Sequence, residues 1–106
     1  NYDSTLGFAD RIGFRCGTCY EFPLFDLLER RELALRERPL LVMDVTLISN
    51  QYMGGVGAEF ILDRISCLKN SCQILNGDFT LLWHNDRLST VPMRSVYEEV
   101  LRCVAP

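Results

Sequence analysis

The chain holds a single histidine, His84. It ends a short apolar, β-prone run, residues 79–83 (FTLLW), and is followed at once by the polar Asn85-Asp86. A strand that delivers a histidine at its C-terminal end fits parallel α/β architectures, whose chemistry gathers at those strand ends. Histidine ordinarily titrates near neutral pH, so it can give or take a proton once a carboxylate fixes its tautomer. Asp44, the one acid inside the apolar stretch 40–48 (LLVMDVTLI), is the candidate partner. Asp86 is a second one, although a residue two positions further on more often faces solvent. One histidine cannot supply the two-His, one-carboxylate set of many hydrolytic metal sites, so no metal ligands are assigned here. A purely structural His84, capping its strand or bonded to a backbone carbonyl, is the competing reading.

The second constellation is Cys16-Gly17-Thr18-Cys19, a C-x-x-C pair. A dithiol redox site of the thioredoxin kind needs a helix to begin at the first thiol. Here Tyr20-Glu21-Phe22-Pro23 follows instead. A zinc site needs two further ligands, and Cys67 and Cys72, within one helix, do not converge like a second C-x-x-C. The other cysteines, Cys67, Cys72 and Cys103, fall at mostly apolar positions of expected helices and read as small buried hydrophobes. With five cysteines at least one thiol is left unpaired, and the set is read as reduced.

Positioning these residues requires a frame. Residues 1–23 show no clear period; Gly7, Gly13 and Gly17 punctuate them, with a short strand expected over 13–16. Pro23 is expected to open a helical turn over 23–28, and the densely charged stretch 29–38 to be a solvated connection. Residues 40–48 read as a strand buried on both faces, and 49–57, with three glycines, as a loop. Ile61, Ile65, Leu68, Cys72 and Leu75 recur at spacings of four and three, which predicts an amphipathic helix over 58–75. Asn76-Gly77 supplies its left-handed C-terminal cap. The strand 79–84 follows, then a loop and a last helix over about 92–104, buried through Met93, Val96, Tyr97, Val100, Leu101 and Val104. Strand, helix, strand at these lengths is a βαβ unit, so the two strands should be parallel and should carry Asp44 and His84 to the same sheet edge.

A chain of 106 residues is one small domain. Apolar residues make up 48% and charged ones 24%, ordinary globular composition. A net charge of −3 with no basic patch excludes an evident nucleic-acid footprint, and no apolar run reaches membrane-spanning length. The start, Asn1-Tyr2-Asp3-Ser4-Thr5, has no initiator Met and no signal-peptide pattern. The chain is therefore expected to begin inside a longer protein or after processing, which leaves localisation open. One βαβ unit and one helix cannot cover both faces and both edges of a strand as apolar as 40–48. The expected fold class is thus α/β, with residues 1–106 the C-terminal part of a larger domain.

Four pieces in this order, YDSTLGFAD (2–10), GFRCGTCYEFPLFDL (13–27), RPLLVMDVTL (38–47) and FTLLWHN (79–85), resemble the C-terminal part of bacterial polysaccharide deacetylase-like proteins, the NodB-homology class or carbohydrate esterase family four. The resemblance spans nearly the whole chain. It implies the βαβα portion of a distorted (β/α) barrel, in a hydrolase that removes N- or O-acetyl groups from carbohydrate with a divalent metal, zinc or similar. The metal ligands would lie in an N-terminal half of the domain outside this chain, so the chain alone would be inactive. Residue by residue, the resemblance gives His84 the role of general acid, within Leu82-Trp83-His84, and Asp44 that of its orienting partner. It places Asp3 and Trp83 at the substrate groove. The stretch around Asp44 departs from the tryptophan-bearing form of its motif. Two readings of other classes stand beside it: a non-catalytic α/β interaction domain, and a C-x-x-C metal or redox module.

Overall fold

The computed structural model describes residues 1–55 and 57–105; within the expected loop 49–57, Val56 lies outside the described residues. The chain is mixed α/β, with a three-stranded sheet, a two-stranded sheet and three α-helices. Among the described residues neither sheet closes into a barrel.

The C-terminal part keeps the expected order of elements, although of the strand expected over 79–84 only residues 81–82 are paired. Strand β4 (Val42–Met43) and strand β5 (Leu81–Leu82) are parallel neighbours, with Val42 opposite Leu81 and Met43 opposite Leu82. Leu41 N–H donates to Thr80 O at 3.1 Å and extends the pairing by one step. The crossover carries helix α2 (Ala58–Ile74), and helix α3 (Val91–Val104) packs on α2. Their apolar faces meet in one core of Val42, Leu47, Ile61, Ile65 and Val100. Cys72 of the α2 stripe is also buried, but Leu75 at its end is exposed, as is Leu101 of α3. Cys67 is exposed too, so it is not the buried hydrophobe its helix position suggested. Helix α2 ends as Asn76-Gly77 demands: Asn76 is left-handed (φ 53°), Gly77 N–H donates to Cys72 O at 2.8 Å and Asn76 N–H to Gln73 O at 3.2 Å. That is a Schellman motif. Thr90 caps α3 by accepting from Met93 N–H, and Pro92 sits in its first turn.

The stretch 40–48 is not one strand. Only Val42–Met43 is paired, and helix α1 (Asp44–Ile48) begins at the acid. An aspartate is favoured in the first turn of a helix, where its charge meets the unpaired N–H groups. The acid that looked like an interruption of a strand is the residue at which the backbone changes state.

The N-terminal part departs further. Residues 23–28 form no helical turn and 29–38 no loose connection: strand β2 (Phe22–Asp26) and strand β3 (Arg31–Glu37) make an antiparallel hairpin, and strand β1 (Tyr2–Asp3) adds to β3 in parallel, in the order β1-β3-β2. Pro23 is tolerated because β2 is an edge strand with an irregularity between Pro23 and Phe25, where no ladder N–H is required of it. At the hairpin tip Arg30 is left-handed (φ 54°) and Asp26 Oδ1 accepts from both Leu28 N–H and Glu29 N–H, at 2.9 and 3.0 Å. The expected strand over 13–16 is also absent; those residues are turn and bend.

Candidate active site

Asp44 and His84 meet. Parallel pairing of β4 with β5 brings the residues that follow each strand to one edge: Asp44 opens α1 and His84 follows Leu82 by two. Asp44 is fully buried, and its two oxygens divide three donors. Oδ1 lies 2.5 Å from His84 Nδ1; Oδ2 accepts from the His84 backbone N–H at 3.1 Å and lies 3.2 Å from Arg87 Nε. A buried carboxylate is tolerated only when paired and hydrogen-bonded, and here both conditions are met.

Two consequences follow for the imidazole. Holding the backbone N–H and Nδ1 on one carboxylate fixes the ring's position and rotation. It also places the ring proton on Nδ1, which leaves Nε2 as the working nitrogen. The His84 side chain is 46% exposed, and among the described residues no hydrogen bond engages Nε2. A ring clamped on one edge and open on the other is arranged for proton transfer to a group arriving from solvent.

Arg87 was not singled out by the sequence. It lies on a 3-10 turn, Asn85–Leu88, that starts immediately after His84. Asp86, the alternative partner, lies on the same turn and is exposed; the carboxylate at His84 is that of Asp44.

Trp83 and Asp3 sit elsewhere. The Trp83 ring packs against Tyr97 of α3, centroids 5.3 Å apart and tilted by 41°. It lines a cavity of about 190 Å³ together with Ile48, Ile61, Arg87, Met93 and Val96, and its buried Nε1 has no partner among the described residues. Gly55, also on that cavity, is a forced glycine: a Cβ there would stand 2.6 Å from Leu47 O and from the Phe60 ring. Asp3 lies on β1 opposite Glu37, in the other sheet, and is not brought to the Asp44–His84 edge. The Thr5 hydroxyl, donating to Asp3 Oδ2 at 2.5 Å, holds that carboxyl below its ordinary range. Glu37 beside it is fully buried, and burial pushes its carboxyl up. Glu37 Oε1 accepts from Leu6 N–H at 2.9 Å, while Oε2 has no partner among the described residues.

The two thiols of the C-x-x-C motif have separate surroundings. Cys19 is buried with Leu41 and Cys72; the Cys16 thiol points to Leu6 O at 3.8 Å, and burial raises it. Among the described residues no group of three or more His, Cys, Asp or Glu side chains is placed to hold a metal ion, and no helix is long and apolar enough to cross a membrane. No protein-family model matches the chain, and neither the curated proteins nor the solved structures contain a match to it.

Proposed function

We propose that this chain is the C-terminal portion of a metal-dependent hydrolase that removes N- or O-acetyl groups from carbohydrate, with His84 as general acid and Asp44 as its orienting partner. The observation that carries the reading is the 2.5 Å contact between His84 Nδ1 and a fully buried Asp44, with the opposite edge of the ring open. The parallel β4–α2–β5–α3 arrangement agrees with the last βαβα units of an incomplete (β/α) barrel, whose missing strands would come from an N-terminal half outside this chain.

On the resemblance to the deacetylases, a divalent metal, zinc or similar, would be held by that other half. When bound, it would supply Lewis-acid activation of water or of the acyl carbonyl. This chain's contribution is the proton. His84, protonated on both nitrogens, keeps Nδ1–H on Asp44 and donates from Nε2 to the amine or alcohol that leaves the acyl carbon. In its neutral form the same ring accepts a proton at Nε2. Asp44 prevents the ring from turning and fixes the tautomer; Arg87 holds the second carboxylate oxygen. Trp83 is the nearest aromatic surface along the chain for a sugar ring, whereas Asp3, engaged by Thr5 in the other sheet, has no part in the proton transfer.

One observation favours a second reading, a non-catalytic α/β domain. Asp44 is completely satisfied by donors from the fold itself, which is also how a buried ion cluster closes a structure. Kinetics with metal analysis on the intact protein separate the two. On the first reading His84→Ala lowers kcat by about 10²–10⁴-fold, with KM and metal content unchanged, since proton donation acts in the transition state. Loss of metal with activity makes His84 a ligand; loss of neither leaves it structural.

A further inference from the structure

The C-x-x-C motif pairs Cys19 with Cys16 in sequence, but the fold pairs Cys19 with Cys72. Cys72 lies in the last turn and a half of α2, and both thiols are 2% exposed in one small apolar cluster with Leu41. Two successive backbone groups tie them together: Gly77 N–H donates to Cys72 O at 2.8 Å and Asp78 N–H to Cys19 O at 2.9 Å. A Cβ at residue 77 would overlap Cys19 Sγ, so any side chain there would have to displace the thiol. The thiol of one loop thus occupies the space beneath the C-terminal turn of the helix that carries the other.

We propose that Cys19 and Cys72 are a disulfide-forming pair, closed by a low-molecular-weight disulfide, which fastens the loop 13–20 to the end of α2. Cys19 reacts first. It sits on a loop and lines a surface recess of about 180 Å³ with Phe14, Thr18, Tyr20 and Leu75, whereas Cys72, beside a separate recess of about 270 Å³, is held in the backbone of α2. The Cys19 thiolate attacks one sulfur of the small disulfide, whose S–S bond breaks and releases one small thiol. The Cys72 thiolate then attacks Cys19 Sγ in the mixed disulfide and expels the second small thiol. Two protein S–H groups are oxidised, one small disulfide is reduced to two thiols, and the two protein protons end on them. Burial first, then the neighbouring Cys19, pushes the Cys72 thiol up to about 11, so the closing step quickens as pH rises toward that value.

The test treats the folded full chain with oxidised glutathione, alkylates the remaining thiols and maps the peptides without reduction. Cys16 and Cys19 fall on one tryptic peptide, because no Lys or Arg separates them, so the map is repeated on Cys16→Ser. Expected is a dominant link from that peptide to the one holding Cys72, retained in Cys16→Ser. It should be accompanied by a rise in Tm on the order of 10 °C over the reduced chain, since the bridge closes a long loop. A dominant Cys16–Cys19 link overturns the proposal. So does a folded chain whose Cys19 and Cys72 stay alkylatable under conditions that oxidise the unfolded one. The half-buried Cys16 is the substituted position, so the outcome does not depend on whether a buried serine is tolerated at 19.

Discussion

The two ends of the molecule are built on opposite terms. From β4 to α3 the chain makes its structure by burial: five side chains from three helices and a strand share one core. From β1 to β3 it makes its structure by pairing: the hairpin leaves Phe25, Leu27 and Leu28 more than half exposed, and charged residues line β3. The loop after β1 joins them by both means: Thr46 Oγ1 donates to Ala9 O at 2.9 Å, Ile12 packs on the core, and Cys19 is buried with Leu41 and Cys72. The proposed active site belongs wholly to the buried end, at the point where β4 and β5 hand over to α1 and the 3-10 turn.

The comparison breaks most directly at Ile65, which is fully buried between α2 and its neighbours. Ile65→Asp puts an unpaired charge in the core and should cost several kcal/mol, enough to abolish cooperative unfolding in a thermal melt. A melt near that of the parent would mean that burial does not hold this end together.

Next comes Asp44. Asp44→Ala removes the shared acceptor of His84 N–H, His84 Nδ1 and Arg87. The Arg87 side chain is 24% exposed and His84 46%, so water recovers part of the loss, and about 2–4 kcal/mol remains. Chemical denaturation should show the midpoint falling with the slope unchanged. If Arg87→Ala costs as much as Asp44→Ala, the ion pair is the main contact and the histidine a minor one.

These two residues also mark how much the sequence disclosed. Ile65 was legible because a helix repeats its buried face every three or four residues, and α2 has room for several repeats. The Asp44–His84 meeting was legible in part: parallel strands carry both residues toward one edge, but their contact depends on the register, which sets Met43 opposite Leu82. The switch to α1 at Asp44 was not, since LLVMDVTLI satisfies a buried strand and a short buried helix equally well. The hairpin was least legible. RELALRE has apolar residues two apart, but its charges are those of a solvated helix or loop, and propensity for a strand is decided by the partner strand. Arg87 was missed because a one-turn 3-10 element leaves no periodic trace. The Cys19–Cys72 neighbourhood depends on the tertiary path of a loop, which motif spacing does not encode.

Glu37, the last residue of β3, gives a smaller effect with a definite sign. Its carboxyl is raised, first by burial, above the ordinary 4.5. In the window between the ordinary and the raised value the folded chain binds more protons than the unfolded one, so stability falls as pH rises through it. Below the ordinary value Glu37 contributes no slope. Asp3 and Glu21 act oppositely: the Thr5 hydroxyl lowers one and the Arg38 guanidinium the other, so their stabilisation is present at higher pH and is lost as pH falls below the ordinary carboxylate range. Glu37→Gln keeps an acceptor for Leu6 N–H and should flatten the descending part alone in a stability–pH curve. A curve unchanged on the acid-to-neutral side would show that Glu37 is ionised in the folded chain without cost.

The smallest effect is expected at the hairpin tip, and it completes the contrast with Ile65. Leu28 is 94% exposed and Leu27 83%, so neither removes its side chain from water on folding. The tip is shaped by Asp26 Oδ1, which accepts from Leu28 N–H and Glu29 N–H, and by the left-handed Arg30. All three features are backbone geometry that Leu28→Asp preserves. The same apolar-to-acid change that should unfold the chain at Ile65 should therefore move its stability by no more than about 0.5 kcal/mol at Leu28. Asp26→Ala, which changes no apolar contact of the core, should cost more than Leu28→Asp because it strips both N–H groups of their acceptor. Side-by-side denaturation of the two variants decides it: a larger loss for Leu28→Asp would mean that the tip is held by its leucines, and the hairpin would then belong with the buried end.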